Sequence, residues 1–237
     1  TISPFSKKII NVLVYLFTLG RYRSQPLDYL DWSTKFALKK AKKIITVSNF
    51  TKKEILNIYP KTKAEKIRVV HNGYNNDLYK VDNDQAQIKA VLGKYDLEQP
   101  YFLYVGRIEK KKNTPALIEA LAILRYSQPK IKEKLVLIGD ASFGFDEVKY
   151  MIEEFNLNND VYMPGWVDEA DMPYIFNGAS AFIFPSKHEG FGIPLLQAMA
   201  CGLPVAASDI PVFREVAGEA ILYFNHHDSR AIAEAMA

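Results

Sequence analysis

Two short stretches carry the residue types that could do chemistry. Residues 188–202 read HEGFGIPLLQAMACG, placing a carboxylate, Glu189, ahead of two glycines around Phe191, and then an apolar helical pattern. Gly190 and Gly192 carry no side chain, so the N–H groups of the turn can approach a ligand closely. A helix that begins near Pro194 adds unpaired donors and the positive end of its dipole. Such a turn is an anion cradle. Glu189 beside it would repel a bare anion but accept hydrogen bonds from hydroxyls, so the expected ligand carries both phosphate and sugar. The competing reading is a tight turn with Glu189 in solvent. The second stretch, GRIEKKKN at 106–113, follows the apolar run YFLYV and offers Arg107 and Lys112. Arginine grips phosphate as a fork and lysine supplies a compact charge, so two cations and a cradle on one rim suit a diphosphate. Lys110 and Lys111 lack that argument and are expected in solvent.

The elements that would position these groups follow from periodicity. Apolar runs at 101–105, 134–138, 161–163, 181–184, 204–207 and 221–224 alternate with segments of three-to-four spacing, such as 116–124 and 148–155. Continuously apolar strands separated by helices imply a doubly wound α/β domain with a parallel sheet, and ligands then gather at the carboxyl ends of its strands. Thr114 before Pro115 fits a helix cap, and Asp168 fits a cap for a helix towards Phe176. Before residue 74 the pieces are fewer: a Lys-rich helix over 33–43, a strand at 43–47, a helix opened by Ser48 or by Thr51-x-x-Glu54, and a strand at 67–70. They amount to the tail of another α/β domain (residues 1–73), incomplete here. Residues 74–237 form the larger domain, and HNGYNNDLYKVDNDQ (71–85) is the polar connection.

Composition narrows the class. With 49% hydrophobic residues in 237, the chain can bury a core, and its one cysteine, Cys201, favours a reducing, cytoplasmic setting. The apolar run from Ile9 to Leu19 is short of the ~20 residues a membrane helix needs and reads as a buried or interfacial helix. The net charge of +3 hides an asymmetry, because residues 1–80 hold 16 Lys and Arg against 5 Asp and Glu. Such a half could meet nucleic acid, an anionic membrane at the inner face as a peripheral contact, or acidic substrates, although Lys39, Lys40, Lys42 and Lys43 taken singly read as solvated helix faces, and nucleic acid is the least expected partner. Neither an aromatic stacking motif nor a recognition helix accompanies the charge.

GRIEKKKN, PGWVDEADMPYIFNGASAFIFPSKHEGFGIPLLQAMACGLPVAASD and REVAGEAILY together resemble the nucleotide-binding half of retaining GT-B-fold glycosyltransferases. The family in question is the large one of glycogen-synthase-like and mannosyltransferase-like enzymes. ITVSNFTKKEI and HNGYNNDLY resemble the end of its acceptor domain and its linker. The resemblance implies a Rossmann-like donor domain, probed by a GDP- or UDP-sugar as substrate, with no cofactor and no metal. It implies retention of anomeric configuration, and a glycan or lipid-linked acceptor, as in polysaccharide synthesis.

By the same resemblance, Arg107 and Lys112 hold the diphosphate as it leaves. Glu189 lies by the transferred sugar, and Gly190, Phe191, Gly192 and Ile193 meet sugar hydroxyls and phosphate. Trp166 and Val167 lie at the base, and Gly106 and Gly139 flank the cleft. The motif's second glutamate is here Gln197, which offers ribose one acceptor oxygen instead of a carboxylate. Gln197 and the incomplete first domain support the alternative of a nucleotide-sugar-binding module without catalysis. The family's acceptor pocket would precede Thr1 and its last helix would follow Ala237, so these residues are expected to bind donor whether or not they transfer it. Asp82-Asn83-Asp84 imitates a metal-binding DxD pattern but lies in the polar connection. His188 reads as a loop residue rather than a base, His226 and His227 as solvent-facing, Asp209 and Glu215 as residues near later strand ends that line the cleft or cap helices, and Cys201 as a small core residue.

Overall fold

The computed structural model describes residues 26–237, and the chain forms two compact units divided between Val70 and His71. The run from Ile9 to Leu19 lies outside the described residues. In the first unit, α1 (Pro26–Lys40) leads to β1 (Ile44–Thr46), α2 (Asn49–Ile58), a single 3₁₀ turn and β2 (Ile67–Val69). The two strands pair in parallel, Ile44 beside Ile67 and Thr46 beside Val69. Ser48 opens α2, its Oγ accepting from the Thr51 N–H at 3.0 Å, so the Thr51-x-x-Glu54 alternative is not what caps the helix. The Lys-rich helix starts earlier than residue 33 and stops at Lys40, three residues short of expectation. Its last carbonyls are engaged by the Lys66 ammonium, at 3.0 Å from Leu38 O and 3.4 Å from Lys39 O.

The second unit is the doubly wound α/β domain. In chain order it contains α3 (Gln85–Lys94), β3 (Tyr101–Val105), α4 (Thr114–Ser127), β4 (Lys134–Ile138), α5 (Phe145–Glu154) and β5 (Val161–Gly165). There follow α6 (Met172–Gly178), β6 (Ala181–Phe184), α7 (Ile193–Ala200), β7 (Val205–Ser208), α8 (Pro211–Ala217), β8 (Leu222–Phe224) and α9 (Ser229–Met236). All six strands are parallel and lie in the order β5-β4-β3-β6-β7-β8. The chain moves outward from β3 to β5, returns to set β6 on the other side of β3, and moves outward again. The crevice of such a sheet opens where the order reverses, between the carboxyl ends of β3 and β6.

The sheet is covered on both faces because its strands are apolar at consecutive positions. Leu103, Leu135, Leu137, Phe182 and Ile183 have no exposed surface, each contributing roughly 1.5–3 kcal/mol by leaving water. Helix α3 packs on α6, and α4 packs on α5 and α9. Tyr101 and Tyr104 are buried within β3, and each hydroxyl finds a carbonyl, Ile175 O at 2.6 Å and Arg107 O at 2.8 Å. Burial pushes both phenols upward, and the charges of Glu189 and Glu109 add to the effect at Tyr104.

Two cap assignments shift. Thr114 is the first helical residue of α4, its hydroxyl donating to Glu109 O, while Asn113 takes the cap position in a left-handed conformation. Asp168 does not cap α6, which begins at Met172; its carboxylate is drawn instead to the Lys94 ammonium at 2.9 Å. The later part of the 71–85 connection is packed on the second unit. Tyr79 is buried edge-on against Phe176, and Asn177 bonds both Asp82 N and Lys80 O.

Candidate active site

The loops that leave β3 and β6 meet at the reversal of strand order. The loop after β3 does not swing free, because hydrogen bonding to the loop after β4 continues past the sheet. Gly106 N donates to Ile138 O, Ile108 N to Asp140 O, and Ser142 N to Ile108 O. Ile108 and Ala141 form a further parallel bridge. This crossing requires Gly139. At φ +141° a Cβ there would stand 2.1 Å from Gly106 O, closer than any real contact. Gly106 and Gly139 are therefore where the two loops touch.

Arg107 follows directly and is exposed. Lys110 is not simply solvated, since it pairs with Glu147 at 2.6 Å across an exposed surface, while Lys111 is exposed as expected. A 3₁₀ turn over Lys110–Lys112 then aims Lys112 at the loop after β6. Lys111 O accepts from Lys187 N at 3.3 Å, and the Lys112 ammonium lies 2.6 Å from Glu189 Oε1. Both side chains of that pair are largely covered, 21% and 12% exposed. The groups expected to hold diphosphate and sugar hydroxyls are thus brought together as an ion pair.

Gly190 is exposed, Phe191 buried, and Gly192 ends the turn at φ +98° as the cap of α7. A Cβ on Gly192 would come 2.8 Å from the Phe213 ring of α8, which stacks on Phe184 of β6 with centroids 5.1 Å apart. An aromatic wall thus sets the height of the cradle, and only glycine fits between it and the open side. Ile193 begins α7, partly exposed, and Gln197 is half-buried one turn later on the same helix face. Trp166 and Val167 follow β5 at the same carboxyl edge, with β4 between them and β3, or about 10 Å away at two strand spacings. Trp166 is 74% exposed, whereas Val167 is buried.

Several residues at this site were not singled out by their sequence. His71 places Nε2 2.9 Å from Glu215 Oε1 on α8, and its ring lies 5.6 Å from that of Phe191. Ser186, between β6 and Glu189, is fully buried, with no hydrogen-bond partner for its hydroxyl among the described residues. The turn after β8 is also involved. Asn113 Nδ2 donates to the His226 carbonyl at 2.8 Å, and the His226 ring is partly buried 4.0 Å from that of His227, which is exposed as expected. Burial, then the neighbouring His227 and Lys187 charges, hold His226 below the usual imidazole value. Only the Ser186 position carried a usable signal, a hydroxyl where an apolar strand enters a glycine turn.

The remaining candidates have structural roles. Asp84 caps α3 by accepting from Ala86 N and Gln87 N, and Asp82 accepts from Asp84 N. Among the described residues no three His, Cys, Asp or Glu are grouped closely enough to hold a metal ion. Asp209 pairs in a fork with Arg214, and Cys201 is buried at the end of α7, where burial pushes its thiol up to about 11. No helix among the described residues is long and apolar enough to cross a membrane.

Residues 6–78 match Glycosyltransferase Family 4, and residues 84–237 match Glycosyl transferases group 1. The chain is 32% identical over 224 residues to O-antigen chain mannosyltransferase B of Escherichia coli, covering 93% of this chain and 57% of that protein. It is 30% identical over 203 residues to O-antigen chain mannosyltransferase RfbU of Salmonella typhimurium, covering 86% and 52%. The chain spans about half the length of these curated relatives. Among solved structures, Anabaena HepE in complex with UDP and glucose superposes with a TM-score of 0.73 at 24% identity, over 86% of this chain and 55% of HepE. A glycosyltransferase from Rickettsia africae superposes at 0.72 and 22% identity, over 99% and 71%. These likenesses give the fold as that of GT-B glycosyltransferases. The chain belongs to the family of glycosyl transferases group 1.

Proposed function

We propose that the chain is the donor-binding part, with the end of the acceptor domain, of a retaining glycosyltransferase. It moves a mannose- or glucose-type sugar from a nucleoside diphosphate sugar to a glycan or lipid-linked acceptor in surface polysaccharide synthesis on the cytoplasmic side. The observation that carries the reading is the meeting of Lys112 with Glu189 beside the glycine cradle, at the point where strand order reverses. The O-antigen mannosyltransferases among its relatives support the sugar and pathway class, and HepE, solved with UDP-glucose, supports the donor class.

Transfer from such a donor builds positive charge at the anomeric carbon and negative charge on the departing diphosphate, so groups that favour the latter lower the barrier. In this reading Arg107, Lys112 and the amino end of α7 take that role, and no metal is called on. Glu189 accepts hydrogen bonds from sugar hydroxyls once Lys112 turns to the phosphates. The backbone at 190–193 lines the phosphate, Trp166 and Val167 receive the base, and Gln197 meets the ribose.

Calorimetric titration of the chain with UDP, GDP and ADP tests the reading, beside an Arg107→Ala, Lys112→Ala double variant. Binding of one nucleotide that the double variant loses is the expected result. Binding that survives in the double variant would remove the diphosphate assignment.

A further inference from the structure

Strand β3 carries two fully buried tyrosines, Tyr101 at its start and Tyr104 near its carboxyl end. Burying a phenol hydroxyl is costly unless it is bonded, and phenylalanine would fill either position without that demand. The hydroxyl at 104 is directed at the loop that follows, donating to Arg107 O at 2.8 Å. The ladder between the loops after β3 and β4 engages the N–H groups of Gly106 and Ile108 and leaves the Arg107 carbonyl, which lies between them in the chain, to the phenol. Gly106 gives the hydroxyl room, since a Cβ there would stand 3.0 Å from its oxygen.

Burial first, and then the charges of Glu189 and Glu109, disfavour the phenolate, so the group remains a donor. The same influence puts the hydroxyl near Glu189, the partner of Lys112. The ring extends the support sideways. It lies 6.3 Å from the ring of Phe184, which stacks on Phe213, the ring that a Cβ on Gly192 would meet. One row of aromatic side chains thus runs from the loop of Arg107 to the glycine cradle.

We propose that Tyr104 is a positioning residue for the donor diphosphate: its hydroxyl fixes the backbone of Arg107, and with it the point from which the guanidinium reaches the phosphates. The proposal deepens the donor reading above and rests on it. Without the hydroxyl, the loop must be brought into place as the anion binds, and that cost appears in the affinity. A net hydrogen bond corresponds to about fivefold in an equilibrium constant, so Tyr104→Phe should weaken nucleotide binding by about that factor. Tyr101 supplies the control. It is equally buried in the same strand, but its hydroxyl bonds Ile175 O of α6 at 2.6 Å, so Tyr101→Phe removes the same kind of bond and leaves the support of Arg107 intact.

The test is calorimetric titration with UDP and with GDP of the parent chain, Tyr104→Phe, Tyr101→Phe, Arg107→Ala and the Tyr104→Phe, Arg107→Ala double variant, each shown to be folded by urea titration. Expected are binding about fivefold weaker in Tyr104→Phe, parent-like binding in Tyr101→Phe, and no further loss when Tyr104→Phe is added to Arg107→Ala. Equal weakening by both tyrosine changes, or a loss that persists in the Arg107→Ala background, would show a merely structural hydroxyl and overturn the proposal. So would an unchanged affinity in Tyr104→Phe beside a parent that binds. A parent that binds neither nucleotide would instead remove the donor reading, and the proposal with it.

Discussion

Glu189→Gln is expected to tighten nucleoside diphosphate binding, the reverse of what loss of a binding residue normally does. Glu189 holds Lys112 at 2.6 Å. A phosphate that takes Lys112 as its partner must stand about 6 Å from the carboxylate, two hydrogen-bond lengths across the ammonium. At an effective dielectric of about 40, between protein and water, two unit charges at that distance repel by about 1.4 kcal/mol, which is about tenfold in affinity. Glutamine keeps the shape and the acceptor oxygen but removes the charge, so the affinity for UDP or GDP, whichever the chain prefers, should rise about tenfold. The same change leaves a mostly covered lysine without its counter-charge, and stability in urea should fall by about 1–2 kcal/mol. Calorimetry with the preferred nucleotide and a urea titration measure the two together. Nucleotide affinity that falls or stays the same, in a variant still folded, would refute the competition between Glu189 and phosphate for Lys112.

Gly139→Ala forces a Cβ into the Gly106 carbonyl and should cost about 3 kcal/mol or more in urea unfolding, with loss of nucleotide binding, because the loop carrying Arg107 must move. Gln197→Glu should tighten donor binding by about 1–2 kcal/mol in calorimetry by restoring a charged acceptor for ribose hydroxyls, and unchanged binding would show that Gln197 does not face the ribose. The Asp171 carboxyl is held below the usual carboxylate range, first by its bond to the Lys94 ammonium and then by Tyr95. A depressed carboxyl contributes stability above its unfolded value of about 3.9 that is lost as pH falls through the folded value. Urea midpoints between about pH 5 and pH 3 should therefore fall more steeply for the parent chain than for Asp171→Asn.

The sheet was legible because its strands are apolar at consecutive positions: the runs at 101–105, 134–138 and 181–184 coincide with β3, β4 and β6. Helix starts were less so: Asp168 has a tertiary partner, Lys94, that local pattern does not contain, and Thr114 turns back to Glu109 O in its own loop and leaves the cap to Asn113. At the site, residue type announced the cradle and the cations. Their union did not, because the Lys112–Glu189 bond joins residues 77 apart through strand order alone. His71 was out of reach for the same reason, as its partner Glu215 lies 144 residues away.

The hydrogen-bond ladder that carries on beyond β3 and β4 makes the stretch bearing Arg107 a prolongation of the sheet. Its amides at Gly106, Ile108 and Lys110 should exchange with solvent on the timescale of the core strands, since they open only when the sheet does. A guanidinium mounted this way has its backbone entropy already removed during folding, so an arriving anion need only order the side chain. Insertions are correspondingly unwelcome in either loop, because one extra residue would throw the two backbones out of step at the Gly106–Gly139 crossing.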